Sequence, residues 1–408
     1  MLDIKFPPRA TTSPLIVYLD SSDYSNLSRA IYDGGSEWKP TLDKLLQLVE
    51  TERIRIVFSA VHVIEIAHLD SSSLEFALQR AKCINLLSQG RCLQFWLELQ
   101  NYECQSFVTE GGHSALLENG RWCPDISELA KELREIFSTG LKSQLLENAG
   151  NRAQRRQVEK ELFKNGKLTP KAMGLMQSIE RKELIETVKQ EFPLSDKFYT
   201  EDLLLKFAAG KVTSSEIIDE FYIVFSDIER FIGWTYETRD ADRKTTRWLR
   251  SLGESMQSNI ANLRHKLETI EADDIEVALR QLDSVLLQTR QKRLKEIQSQ
   301  LPSMTRRNEG KWTELLESPL GTVRSLDAHL ILLKEYFRRA VQTHRKIKAS
   351  DAGDLFHLTY LPYCDLFRTD GDASETAKPL AAHCGTRIVS KLSMLSSAID
   401  EELIKRRI

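Results

Sequence analysis

The sequence predicts an α/β fold: a parallel-stranded sheet flanked by helices and split by a large all-α insertion. Three observations lead there. The chain opens with a run that is apolar on both faces, Leu15–Leu19, and a second strand run, Ile54–Ser59, separated and followed by helical patterns. Such runs suit central parallel strands, which are covered on both sides. From about 100 to 325 almost no strand-like run occurs and helical periodicity dominates. Short strand runs then return near Leu366–Phe367 and Arg387–Ser390. The expected organisation is therefore residues 1–100 and 326–408 as two halves of one α/β domain, with residues 101–325 as a helical insertion.

Taken in order, residues 1–14 read as an irregular lead-in with three prolines. Leu15–Leu19 is the first strand, and Asp20-Ser21-Ser22-Asp23 after it can cap a helix. A helix around 40–52 carries Leu42, Leu45, Leu46 and Val49, and the second strand follows it. Ala60–Leu69 reads as a helix with Glu65 inside it, 73–88 as a long amphipathic helix, and Cys92–Phe95 as a third short strand. In the helical region the apolar spacing is clear at Leu129/Leu133/Ile136/Phe137, at Ile217/Ile218/Phe221/Tyr222/Phe225, and at Leu279/Leu282/Val285/Leu286. Leu263, Leu267 and Ile270 extend the last pattern into a helical hairpin, with Glu271–Asp274 as its break. Later, helices are expected at 326–342, after Ser350-Asp351, at Ser374–Cys384 and at the C-terminal end, with a break at Pro362.

Composition narrows the function classes. The 408 residues are long enough for two or three domains, or for one with a large insertion. A 41% hydrophobic and 28% charged content is ordinary for a soluble protein, and a net charge of −2 leaves nucleic-acid binding to local basic patches. Six cysteines without a C-x-x-C pair favour reduced thiols and a cytoplasmic location. The first residues lack a signal-peptide pattern, and the early apolar run at 15–19 is too short to span a bilayer, so no membrane association is expected. There is no phosphate-binding G-x-x-x-x-G-K-[ST] loop, no G-x-G-x-x-G after the first strand and no G-x-S-x-G elbow. Ser22 stands where a haloacid-dehalogenase-type phosphatase needs its second aspartate.

The chemistry sits in four acids. Asp20 and Asp370 stand at the C-terminal ends of an early and a late strand; Asp354 opens the helix feeding the later one, and Glu65 lies on the helix after the second strand. In an open parallel sheet, sites form beyond the carboxyl ends of the strands where their order reverses. Alone, a strand-end aspartate is most often a helix cap. Together, four carboxylates in one cleft repel one another unless a cation compensates, and an all-oxygen set selects Mg²⁺ or Mn²⁺ over zinc. Asp351, Asp372 and His357 are candidate helpers, and whether Asp351 or Asp354 is the ligand is a matter of helix register that the sequence leaves open. Arg338, Arg339, Arg345, Lys346 and Lys348 lie in a stretch without acids, 336–350, directly before this acidic segment. They are candidates for holding phosphates on either side of a scissile one.

Three segments carry a family resemblance: Ile16–Asp20, Ser59–Glu65, and the late stretch with Asp354, Tyr360–Asp365 and Thr369–Asp370. In their order and spacing the chain resembles the PIN-domain nucleases, a superfamily of metal-dependent ribonucleases that includes toxin–antitoxin toxins. The resemblance covers roughly 14–100 and 345–395. It implies a PIN-like sheet and catalytic Asp20, Glu65, Asp354 and Asp370 binding Mg²⁺ or Mn²⁺. It also implies phosphodiester hydrolysis of RNA or single-stranded DNA, as in a toxin-like or phage-defence effector. The helical region departs from small family members. A different reading makes the sheet a non-catalytic scaffold whose residues 101–325 dock a protein partner. A third joins the two, with a nuclease held silent through that region by an inhibitory or defence-system partner.

Overall fold

The computed structural model describes residues 4–7, 14–32, 36–67, 73–111, 114–127, 129–131, 133, 135, 139, 151–164, 167–169, 182–193, 203–208, 211–237, 247, 251, 254, 275–343 and 351–406. Contacts divide the chain into two compact units, residues 123–250 and the remainder.

The larger unit holds the sheet. Its first half runs β1 (Leu15–Tyr18), α1 (Ser21–Tyr32), α2 (Lys39–Glu50), β2 (Ile54–Val57), α3 (Ala60–Ala67), α4 (Leu74–Ser88), β3 (Cys92–Leu93), α5 (Trp96–Thr109) and β4 (Leu116–Leu117). Its second half runs α6 (Ile275–Gln300), α7 (Pro302–Arg307), α8 (Glu309–Glu317), α9 (Arg324–Thr343), α10 (Asp351–Leu358), β5 (Leu366–Arg368), α11 (Gly371–Cys384), β6 (Arg387–Val389) and α12 (Leu395–Arg406). Pro362 falls in a single 3₁₀ turn, Leu361–Tyr363, between α10 and β5.

Four parallel strands pair in the order β2-β1-β5-β6. Tyr18 stands opposite Val57 on one side and Phe367 on the other. The apolar runs become strands because both their faces are covered: Leu15, Val17, Tyr18, Ile54, Ile56, Val57, Leu366 and Phe367 have no exposed surface. The chain leaves β1 for β2 on one side and later returns to its other side as β5, so the strand order reverses between β1 and β5. Asp365 secures that junction. Its backbone N–H donates to Ile16 O at 2.8 Å, its carboxylate accepts from Ile16 N at 2.6 Å, and Arg406 of α12 pairs with it at 2.7 Å. The third run, Cys92–Leu93, makes one parallel bridge to Phe58 and pairs antiparallel with β4.

The helices around 280–340 form a second core in the same unit. Leu282, Leu286, Leu294 and Ile297 of α6 meet Trp312, Leu315, Leu326 and Leu330, together with Cys104 and Val108 of α5. An ion pair lies inside it: Arg290 Nε donates to Asp327 Oδ1 at 2.6 Å, while Asp327 Oδ2 accepts the Gly321 and Val323 N–H groups. Residues 101–122 and 251–325 thus belong by contacts to the unit that holds the sheet. In the smaller unit Phe192, Phe207, Ile217, Phe221, Phe225, Phe231 and Ile232 are buried. Its helix Ser214–Ser226 starts at a capping box between Thr213 and Glu216. Leu263, Leu267, Ile270 and the break at 271–274 lie outside the described residues.

Five of the six cysteines are buried and none forms a disulfide. Among the described residues, no helix is long and apolar enough to cross a membrane.

Candidate functional site at the carboxyl edge of the sheet

Both strand-end aspartates do cap helices. Asp20 follows β1, and its Oδ1 accepts the Ser22 N–H at 2.8 Å; Asp370 follows β5, and its Oδ1 accepts the Ala373 N–H at 2.8 Å. Each cap engages one carboxylate oxygen in the contacts described. The helix ends α1, α11 and α10 therefore open at one edge of the sheet, where their N-terminal partial charges favour anions. Asp354 lies in the first turn of α10.

At this edge the other three acids of the sequence pattern act on Asp354 through their charge. The Asp354 carboxyl is pushed up to about 7, first by burial and then by the negative charges of Asp370, Asp20 and Glu65, against the pull of His357. Asp351 is buried at the start of α10. Asp372 is exposed in the first turn of α11, two residues after the cap, and meets Arg339 Nη2 at 3.4 Å.

Glu65 is held from two sides. Ser21 Oγ donates to Glu65 Oε2, and His357 Nε2 lies 3.2 Å from the same oxygen. Burial opposes its ionisation, but His357 and Ser21 outweigh that and draw its pKa down to about 2. His357 moves the other way: burial lowers it, while Glu65, Asp20 and Asp354 together leave it raised. Gly353 makes room for this contact. A Cβ there would stand 2.4 Å from Glu65 Oε1, so any larger residue would displace the carboxylate.

Beneath the acids lies a buried polar network. Tyr18 OH bonds His357 Nδ1 at 2.6 Å and Ser59 Oγ at 2.7 Å. His62 Nε2 donates to Leu19 O at 2.9 Å and its Nδ1 accepts the Ser59 N–H at 3.1 Å, which fixes its tautomer. Burial, with His357 nearby, draws the His62 pKa down to about 3, so it stays neutral. His357 thus links Glu65 through Nε2 to the Tyr18 hydroxyl through Nδ1, and Tyr18 in turn to Ser59. Asp23, beside Asp20, accepts its backbone N–H at 3.0 Å and pairs with Arg368 Nη2 of β5 at 2.8 Å. That pair ties α1 to β5 across the reversal point.

No family model, curated protein or solved structure matches the chain. Its chemistry rests on its own residues.

Tyr18, Ser21, Ser59, His62 and Arg368 are the members of this network that the four-acid pattern does not single out. One signal exists for two of them: Ser59, just before α3, recurs at three-residue spacing with His62 and Glu65 inside it. Among the described residues, no group of three or more His, Cys, Asp or Glu side chains is arranged to hold a metal ion. Of the basic set, Arg339 reaches the first turn of α11, while Arg338 bonds Glu335 and Gln342 along α9. Arg345, Lys346 and Lys348 lie outside the described residues.

Proposed function

We propose that the chain is a PIN-like, metal-dependent nuclease that hydrolyses phosphodiester bonds, of RNA first and of single-stranded DNA second. The observation that carries this reading is the mutual charge of Asp20, Glu65, Asp354 and Asp370 beyond the ends of β1 and β5. Four acids brought together at a strand-order reversal keep a negative charge that His357 only partly offsets. This donor set, all oxygen and without a thiol, fits a hard divalent cation. Asp20, Asp354 and Asp370 would hold Mg²⁺ or Mn²⁺, with Glu65 completing the set. The cation supplies charge neutralisation at the phosphate and activation of water.

The remaining steps belong to the chain. His357 keeps Glu65 ionised and fixed through Nε2, and Tyr18 with Ser59 orients His357 from behind. The Asp354 carboxyl holds a proton near neutrality and must release it when a cation binds. Arg339 on α9 supports phosphate contacts beside α11.

The test is cleavage of single-stranded RNA with Mn²⁺ by wild type, Asp20→Asn and Asp370→Asn, with and without chelator. Loss of cleavage in both variants and with chelator is expected. Equal cleavage by all three, or cleavage indifferent to chelator, refutes the proposal. A wild type that neither cleaves nor binds Mn²⁺ saturably favours a scaffold that binds a protein partner through residues 101–325.

A further inference from the structure

Asp23 has no exposed surface and Arg368 only 7%, and the two are in contact: Arg368 Nη2 lies 2.8 Å from Asp23 Oδ1. The other carboxylate oxygen, Oδ2, accepts the Asp20 N–H at 3.0 Å, and the Asp23 N–H donates to Asp20 O at 3.0 Å. Asp23 therefore grips Asp20 by both of its backbone polar groups. Arg368 is the last residue of β5, two before Asp370, and its neighbour Phe367 stands opposite Tyr18, two before Asp20. Half of this arrangement is a helix cap. Asp20 accepts the Ser22 N–H, and Asp23, three residues on, reaches back to the Asp20 N–H as in a capping box. A cap requires neither burial nor a cation from another strand. The pair is also poorly built for stability. Asp23 Oδ1 and the Arg368 Nε and Nη1 atoms are buried without a hydrogen bond among the described residues. A buried ion pair outdoes apolar side chains of similar volume only when its remaining donors and acceptors are satisfied.

We propose that Asp23 and Arg368 are a positioning pair, which sets where Asp20 stands relative to Asp370 across the reversal of strand order. The link runs from the Asp20 backbone through the Asp23 carboxylate to the Arg368 guanidinium, and along β5 to Asp370. Neither residue touches substrate or cation. Carboxylates that share a divalent cation must be held to within about 0.5 Å, and the groups behind them do the holding. Asp20 opens α1, and Asp370 opens α11, so without a tie each acid would follow its own helix. The inference rests on the nuclease reading for what the two acids hold, though the grip on the Asp20 backbone does not depend on it.

The experiment compares the full wild-type chain with two double variants. Asp23→Leu with Arg368→Met replaces the pair by apolar side chains. Asp23→Asn with Arg368→Gln removes both charges but keeps an oxygen that accepts the Asp20 N–H. Each protein is followed by urea unfolding, by hydrogen exchange of the Asp20 amide without metal, and by calorimetric titration with Mn²⁺. The apolar pair should unfold at the same or a higher urea concentration than wild type. It should nevertheless exchange the Asp20 amide about tenfold faster and bind Mn²⁺ about 10- to 100-fold more weakly. The amide pair should restore most of both. Unchanged Asp20 exchange or unchanged Mn²⁺ affinity in the apolar pair overturns the proposal, as does an amide pair that restores neither. An apolar pair that unfolds at lower urea, or does not fold, shows that the ion pair serves the stability of the fold and overturns it as well. A wild type that binds no Mn²⁺ removes the nuclease reading and leaves the Asp20 amide to decide the positioning. Asp20-dependent Mn²⁺ binding that survives intact in the apolar pair keeps the nuclease reading and removes the positioning.

Discussion

Gly353→Ala separates the site from the stability of the fold. Gly353 is the third residue of α10, and an added Cβ would stand 2.4 Å from Glu65 Oε1, where ordinary contact begins near 3.4 Å. The carboxylate is the end of a flexible side chain, so it moves by about 1 Å rather than forcing α10 out of place. Within a helix, glycine to alanine gains about 0.5–1 kcal/mol. Against this stands the loss of the Ser21 and His357 bonds to Glu65. Buried charge-assisted bonds contribute about 1.5–3 kcal/mol, but the Glu65 side chain is 38% exposed, and solvent screening reduces that. Gain and loss then nearly cancel, and the net change in unfolding free energy should stay within about 1 kcal/mol. The local effect should be large, because the Glu65 charge does most to raise the His357 pKa against its burial. The assay is an NMR titration of the His357 imidazole and thermal unfolding for wild type, Gly353→Ala, Glu65→Ala and the double variant. His357 should titrate lower in Gly353→Ala. In the Glu65→Ala background, Gly353→Ala should become plainly stabilising, by about 0.5–1 kcal/mol. An unchanged His357 titration, or the same destabilisation by Gly353→Ala in both backgrounds, would refute the reasoning.

Three further outcomes follow from the same geometry. Arg290→Met leaves Asp327, which has no exposed surface, as an uncompensated buried charge, and should cost about 3–5 kcal/mol in urea unfolding; Arg290→Met with Asp327→Leu should recover most of it. The contribution of His62 to stability should fall as pH drops from 6.5 toward 3, because it is held neutral with a pKa near 3 and the unfolded chain takes up its proton first; a stability difference between wild type and His62→Gln that is equal at pH 6.5 and pH 4 would contradict this. Glu65, lowered to about 2, adds a further loss below its ordinary 4.5. Mn²⁺ binding should weaken as pH falls through about 7 and should release a proton, seen as a buffer-dependent heat in calorimetry that Asp354→Asn abolishes.

Residue pattern alone determined the strands and the chemical character of the edge. Leu15–Tyr18 is legible because a strand covered on both faces needs apolar residues at every position, and Ile54–Val57 follows the same pattern except at Arg55. Asp20 and Asp370 are legible because strand exits and helix caps draw on the same short acidic residues. Helical spacing likewise revealed α2, α4, α9 and α11 to within a few residues. An amphipathic stripe does not name the surface it covers, however. That α5, α6 and α8 share a core within the unit that holds the sheet was decided only by packing. The buried network was equally hidden. A histidine in an apolar run such as Ala60–Ala67 reads the same whether it fills space or bonds Leu19 O and the Ser59 N–H. The pairing of β1 with β5 joins residues about 349 positions apart, a separation at which local sequence carries no information on which strands become neighbours. Tertiary structure therefore decided that the charges of Asp20, Glu65 and Asp370, from three distant segments, act on the Asp354 carboxyl.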